Sequence, residues 1–292
     1  MLASALVAGS CAFAANPPYE KPVELAGVSN EESSWSPDGR HLAFDSDRGG
    51  KHYNIYMQDL TSGAVVRLTH SDSDDITPAY SPDGRSIAFS SDRSGHNQIY
   101  VMDGDGKNIR RVSHSGSDDI HPGWSPDGKL IIFCSARDNP NQSAAAEGER
   151  YEIYTVRDDG SDERRLTNLG GINTYPNYSP DGGRIAFRKV LPPKNSEVWV
   201  MNADGSGAGN LTNDPAFDGW PYWSPNGSKI VFASNRAGAF DIYTMNPDGA
   251  NVTRLTDQNS RCTSPKWSAD GKKISFDCAR EHRVSILVID AK

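Results

Sequence analysis

One short pattern governs what this chain can fold into. An aromatic residue followed by Ser-Pro-Asp-Gly begins at Trp35, Tyr80, Trp124 and Tyr178. It recurs from Trp223, with Asn226 in place of Asp, and from Trp267, with Ala269 in place of Pro. The intervals are 45, 44, 54, 45 and 44 residues, so the chain holds six copies of one unit, the third lengthened by an insertion within Arg137 to Arg150. Self-similarity at this period is the mark of a repeat architecture.

Each copy reads as four short strands. Pro presets φ and Gly tolerates positive φ, so Pro-Asp-Gly turns the chain. An apolar second strand follows, as in Leu42-Ala43-Phe44, Ile87-Ala88-Phe89 and Ile230-Val231-Phe232. A third strand carries Ile55-Tyr56, Ile99-Tyr100, Ile153-Tyr154, Val198-Trp199, Ile242-Tyr243 and Ile286-Leu287. Asp-Gly turns then lead to a fourth strand ending in Arg-Leu-Thr, as at Arg67-Leu68-Thr69 and Arg254-Leu255-Thr256. Four strands in a unit of about 40–45 residues predict a propeller blade. The last copy stops after its third strand, while Pro22-Val23-Glu24-Leu25 precedes the first. The expected fold is therefore an all-β, six-bladed propeller of four-stranded antiparallel blades, closed when the N-terminal strand completes the last blade. A closed ring leaves no open sheet edge between its ends.

The blade pattern aromatic-Ser-Pro-Asp-Gly-x-x-Ile-Ala-Phe-x-Ser-Asp-Arg, with Ile-Tyr-x-Met and Arg-Leu-Thr, resembles the TolB-type propeller repeat. Ser90-Ser91-Asp92-Arg93 followed by Ile99-Tyr100-Val101-Met102 is one instance. The resemblance spans residues from about 22 to 290. It implies a TolB-like six-bladed propeller without the α/β domain that precedes the propeller in TolB. Similar repeats also build the propellers of prolyl oligopeptidases, dipeptidyl peptidases and oligogalacturonate lyases, so fold alone does not fix function.

The ends and the charge narrow the classes. Leu2 to Ala14 is a short apolar run ending in Ala12-Phe13-Ala14, which reads as a signal peptide over residues 1–15, with the propeller at 16–292. Lipidation at Cys11 is a lesser alternative. A periplasmic or secreted location follows, and no other stretch is apolar enough for a membrane helix. The formal net charge of −8 argues against nucleic acid, whose phosphates require a basic face. Export would leave Cys134, Cys262 and Cys278, and Cys262 and Cys278 fall on opposite arms of one hairpin, where a disulfide is expected. Gly-x-Ser-x-Gly, a Walker loop and a Cys/His zinc arrangement are all missing from the sequence.

Comparing the six copies separates frame from site. Three residues before each aromatic stand Glu32, Thr77, His121, Tyr175, Trp220 and Ser264. Two residues further back are Asn30, Asp75, Asp119, Asn173, Asp218 and Cys262. Unlike residues at equivalent places are free to serve a ligand, and these are expected at the mouth of the central channel, on the face that also carries His52, His70, His96, His114, His121 and His282. The expected ligand-binding set is Glu32, Asp75, Thr77, Asp119, His121, Tyr175, Asp218, Trp220 and Ser264. Asp75, Asp119 and Asp218 offer hard oxygen ligands suited to Ca²⁺. Arg48, Arg93, Arg137, Arg236 and Arg280 follow the second strand and are expected to be structural, bonding carbonyls or Asp47 and Asp92. Two functions compete: a monomeric module binding a protein or peptide at the channel, and a polysaccharide lyase in which His121 or Tyr175 abstracts a proton. The binding module is the preferred expectation.

Overall fold

The Ser-Pro-Asp-Gly turn is a closed hydrogen-bonding unit. In the second blade Ser81 Oγ donates to Asp83 Oδ1 at 2.7 Å, which also accepts the Arg85 amide at 3.0 Å. Ser81 Oγ in turn accepts the Ser86 amide at 3.0 Å, and the Gly84 amide donates to the Ser81 carbonyl at 2.9 Å. Gly84 takes φ +72°, which only glycine adopts without cost. The same Ser-to-Asp bond recurs from Ser36, Ser125, Ser179 and Ser268. In the fifth blade Asn226 Oδ1 replaces the carboxylate at 2.8 Å from Ser224 Oγ, so the turn needs an acceptor oxygen rather than a charge.

A computed structural model describes residues 20–23, 28–138, 150–191, 195–257, 260–280 and 283–291. The signal-peptide region with Cys11, most of the third-copy insertion and His282 lie outside these residues. All regular elements within them are strands, in six antiparallel four-stranded sheets. Five sheets follow chain order, for example Asp75–Tyr80, Ser86–Ser91, Gln98–Asp103 and Arg110–Arg111. The sixth joins Cys262–Trp267, Lys273–Arg280 and Arg283–Asp290 to the N-terminal strand Glu20–Val23. The ring is thus closed as expected, although the closing strand starts two residues earlier than the sequence suggests.

The core lies between blades. Phe44, Phe89, Phe133, Phe187, Phe232 and Phe276, one per second strand, are fully buried. Each seam has its own cluster, such as Ala43, Ile55 and Leu68 against Ile87, Phe89 and Tyr100. At the closing seam Leu42, Phe44 and Tyr56 pack on Ile286. The fourth strands hold only two or three residues and stop at the Arg of Arg-Leu-Thr, so Leu and Thr lie just beyond them. Their role explains why: Leu68 packs in the seam, and Thr69 Oγ1 accepts the Ile55 amide at 2.9 Å in place of a strand partner. Thr167 and Thr256 do the same for Ile153 and Ile242.

Arg48, Arg93, Arg137 and Arg236, after the second strand, clamp four of the blades, with a partner other than the adjacent aspartate; the side chain of Arg280 lies outside the described residues. Arg93 reaches Asp75 Oδ1 and Oδ2 at 2.7 and 2.9 Å, touches Ser91 Oγ, and lies over Phe89 and Tyr100. Arg137 holds Asp119 and Arg236 holds Asp218 in the same way, while Arg48 reaches the amide oxygen of Asn30. Asp92 instead accepts the Asp74 amide. Blade four uses Asn173 with Lys189, and blade six joins Cys262 to Cys278 in a disulfide at the equivalent cross-strand pair.

Candidate functional site

The clamp decides what the second ring can do. Asp75, Asp119 and Asp218 are fully buried, each closed off by the guanidinium of its own blade. None of the three lines the two cavities found along the axis. Among the described residues no group of three or more His, Cys, Asp or Glu is arranged to hold a metal ion. Binding Ca²⁺ through Asp75, Asp119 and Asp218 would require each carboxylate to leave its arginine.

The first ring does line the axis. Every first strand carries a break in register just at this point, for instance between Ile76 and Ala79 and between Gly219 and Tyr222. Glu32, Thr77, His121, Tyr175, Trp220 and Ser264 all take positive φ, from 48° to 55°. Positive φ costs an L-residue roughly 1–2 kcal/mol, so six equivalent non-glycine instances are built features of the frame. A neighbour's side chain holds some of these bulges: the Thr77 amide donates to Asp45 Oδ2 at 2.8 Å, and the Glu32 amide to Asp277 Oδ2 at 3.0 Å.

The ring sits deeper than a mouth. It forms a waist between a wide cavity of about 290 Å³ and a narrow one of about 140 Å³. Glu32 and Tyr175 border both; Thr77 and His121 border only the wide cavity, and Trp220 and Ser264 only the narrow one. The wide cavity runs past Trp35, Tyr80, Trp124, Tyr178, Trp223 and Trp267 to Pro37, Pro82, Pro126, Pro180 and Pro225. It therefore approaches the Pro-Asp-Gly face, opposite the histidine-bearing loops expected to be the working face. Of those histidines, His52 lies beside Asp74 at 3.3 Å and His96 beside Asp118 at 4.0 Å, away from the axis cavities.

The two sides of the waist differ chemically. On one side His121 stacks on Tyr175 at 3.8 Å, and Tyr175 meets Trp220 at 5.7 Å. Arg188 lies over Tyr175, Phe217 and Trp220. Burial, then the nearby Arg188 and Lys266, lower the His121 imidazole to about 3. Its Nδ1 meets the buried Cys134 thiol at 3.4 Å, and burial pushes that thiol up. This pair is held neutral.

On the other side stand Glu31, Glu32, Asp45 and Asp277. Burial, reinforced by repulsion from Glu32 and Glu31, drives the Asp45 and Asp277 carboxyls well above the carboxylate range, and burial raises Glu31 and Glu32 as well. Lys266 is the nearby ammonium, lowered by burial and lying 4.9 Å from the Tyr222 ring. Asp45 and Asp277 were not among the expected site residues. They follow the second-strand phenylalanine, where other blades carry Ser90, Cys134, Arg188 and Ala233. The same comparison between copies would have found them.

Known proteins agree with this architecture. A search of curated proteins finds no significant match. Among solved structures, one assigned as TolB from Agrobacterium tumefaciens is 27% identical, with TM-score 0.70 over 90% of both chains. TolB from Acinetobacter baumannii is also 27% identical, with TM-score 0.69; the match covers 82% of this chain and 57% of that one. An oligogalacturonate lyase in complex with manganese shares the fold at 14% identity and TM-score 0.66, over 91% and 90% of the two chains. The family model for the TolB beta propeller domain matches residues 20–149 and 189–292. With most of its length matched and six blades closed by its own N-terminal strand, the chain belongs to the TolB β-propeller family.

Proposed function

We propose that this is an exported propeller that holds a peptide or a segment of a partner protein in its central channel. The observation behind this reading is the ring: six equivalent backbone positions carry six different side chains at the waist between cavities of about 290 and 140 Å³. A frame held constant while its tips differ is what a recognition surface requires. Export is supported by the apolar run before Ala12-Phe13-Ala14 and by the Cys262–Cys278 disulfide, since disulfides persist in oxidising compartments. Lyase chemistry has less behind it. A base lowered to about 3, stacked on Tyr175 and facing a thiol, is poorly matched to proton abstraction near neutral pH.

The test uses Thr77→Trp. Trp220 already occupies the equivalent position at the same φ of 54°, so the backbone accepts the larger ring, which adds bulk where Thr77 lines the wide cavity. Peptides selected from a displayed library on the mature protein should lose binding to the variant while its thermal unfolding stays within a few degrees. Selected peptides that bind both proteins equally would sink the channel reading.

A further inference from the structure

We propose that the narrow cavity is a pocket for an organic cation, the ammonium of a lysine or the guanidinium of an arginine on the partner segment. This rests on the channel-binding reading above and names the chemistry of what enters its narrow end.

The central observation is an acceptor with no donor. Asp277 is 4% exposed and lines the narrow cavity. Its Oδ2 accepts the Glu32 amide, but its Oδ1 is buried without a hydrogen-bond partner. Leaving a buried polar atom without a partner costs on the order of 1–3 kcal/mol. Glu32 borders the same cavity and spends one oxygen, Oε1, on the Ser264 hydroxyl at 2.9 Å. Two carboxyl groups from the two blades of the closing seam thus face one space of about 140 Å³, large enough for the end of a basic side chain.

Charge counting points the same way. Glu31, Glu32 and Asp277 line the cavity against one cation, Arg261, which is solvent-exposed and lies over Trp220 and Phe240. Lys266, the other cation near Glu32, borders the wide cavity instead. An incoming ammonium or guanidinium would supply the missing donor to Asp277 and favour the ionised form of both acids, making the new bonds charge-assisted. Trp220 borders the same cavity and already carries the Arg261 guanidinium at 6.0 Å, a contact of the kind an entering cation makes with an aromatic ring. A bare metal ion fits less well, because no three acidic or imidazole groups among the described residues are arranged as ligands.

The probes are N-acetyl-lysinamide and N-acetyl-argininamide, with N-acetyl-norleucinamide as the uncharged control, followed by NMR at the Trp220 indole N–H at pH 7.5. The expected result is a saturable shift with the two cations alone, weakened by about tenfold or more in Asp277→Asn, which removes one charge-assisted contact while keeping an acceptor for Glu32. Glu32→Gln serves as the second variant should Asp277→Asn unfold. Binding should also weaken from pH 7.5 to pH 5, as carboxyls with raised pKa take up protons. An equal response to the norleucine probe, no response to the cations, or full binding by both variants would overturn the pocket. If that happens while library peptides are still excluded by Thr77→Trp, the channel reading stands without the cation pocket. If Thr77→Trp excludes nothing either, both fall.

Discussion

The disulfide of blade six replaces what the other blades achieve with a buried polar clamp, and its contribution can be worked out. Cys262 and Cys278 are cross-strand partners 16 residues apart in sequence. Closing a loop of that length removes denatured-chain entropy equivalent to about 3 kcal/mol at 25 °C. At the usual unfolding entropy per residue, a chain of this size loses about 5 °C in melting temperature for that amount. The perturbation is Cys262→Ser/Cys278→Ser, which at position 278 places serine where Ser46, Ser91, Ser135 and Ser234 stand in other blades. The assay is calorimetric or dichroic melting of the variant and of the wild type with and without dithiothreitol. Reductant should bring the wild type down to the variant and leave the variant unchanged, because the other described cysteine, Cys134, is a buried free thiol. A drop below about 1 °C would refute the loop-closure reasoning and mean that the strand pairing alone holds this hairpin together in the denatured ensemble.

Other expectations follow from the same structure. Arg236→Ala leaves the fully buried Asp218 without its cation and should cost about 3–5 kcal/mol in urea unfolding, partly recovered by adding Asp218→Asn; an equal cost in both variants would remove the charge from the explanation. Asp45 has its folded pKa raised, so its contribution to stability is full below the unfolded value of about 4 and is lost as pH rises toward the folded value. Asp45→Asn keeps an acceptor for the Thr77 amide and should therefore gain on wild type at pH 8 relative to pH 4; parallel stability–pH curves would contradict this. Asp83 has the opposite sign: its pKa is lowered, chiefly by the Ser81 hydroxyl, so its contribution holds above about pH 4 and is lost as pH falls through the folded value. Ser81→Ala should cost roughly 1 kcal/mol at pH 7 and raise the Asp83 pKa in a carboxyl-detected NMR titration, and an unmoved Asp83 would break the link.

What the sequence made legible was whatever is decided locally. Ser-Pro-Asp-Gly specifies its turn through bonds spanning at most five residues, so each copy could be read from its own letters. The apolar triplets announced the second strands because those strands are buried on both faces. The first ring was found by comparing copies, but its depth was not, since the register break that turns these residues onto the axis has no residue signature of its own. The same break explains Asp75, Asp119 and Asp218. Two positions from a ring residue they were assumed to share its surroundings, as alternation in an unbroken strand implies. Instead each meets an arginine 18 residues later in its own blade. Asp45 and Asp277 have partners that are amides of a neighbouring blade, so only their departure from Ser90, Ala233 and the other copies marks them in the sequence.

The six bulges have a consequence for how such a protein changes over time. Because the conformation at each ring position is set by the register break, the backbone there does not depend on which residue it carries. Glutamate, threonine, histidine, tyrosine, tryptophan and serine all occupy one geometry in one chain. Exchanges among these six sites leave turns and clamps untouched, so much of the lining can be rewritten without renegotiating the scaffold. Two propellers of this kind can agree at every turn yet differ in what their channels admit, much of the distinction residing in six codons.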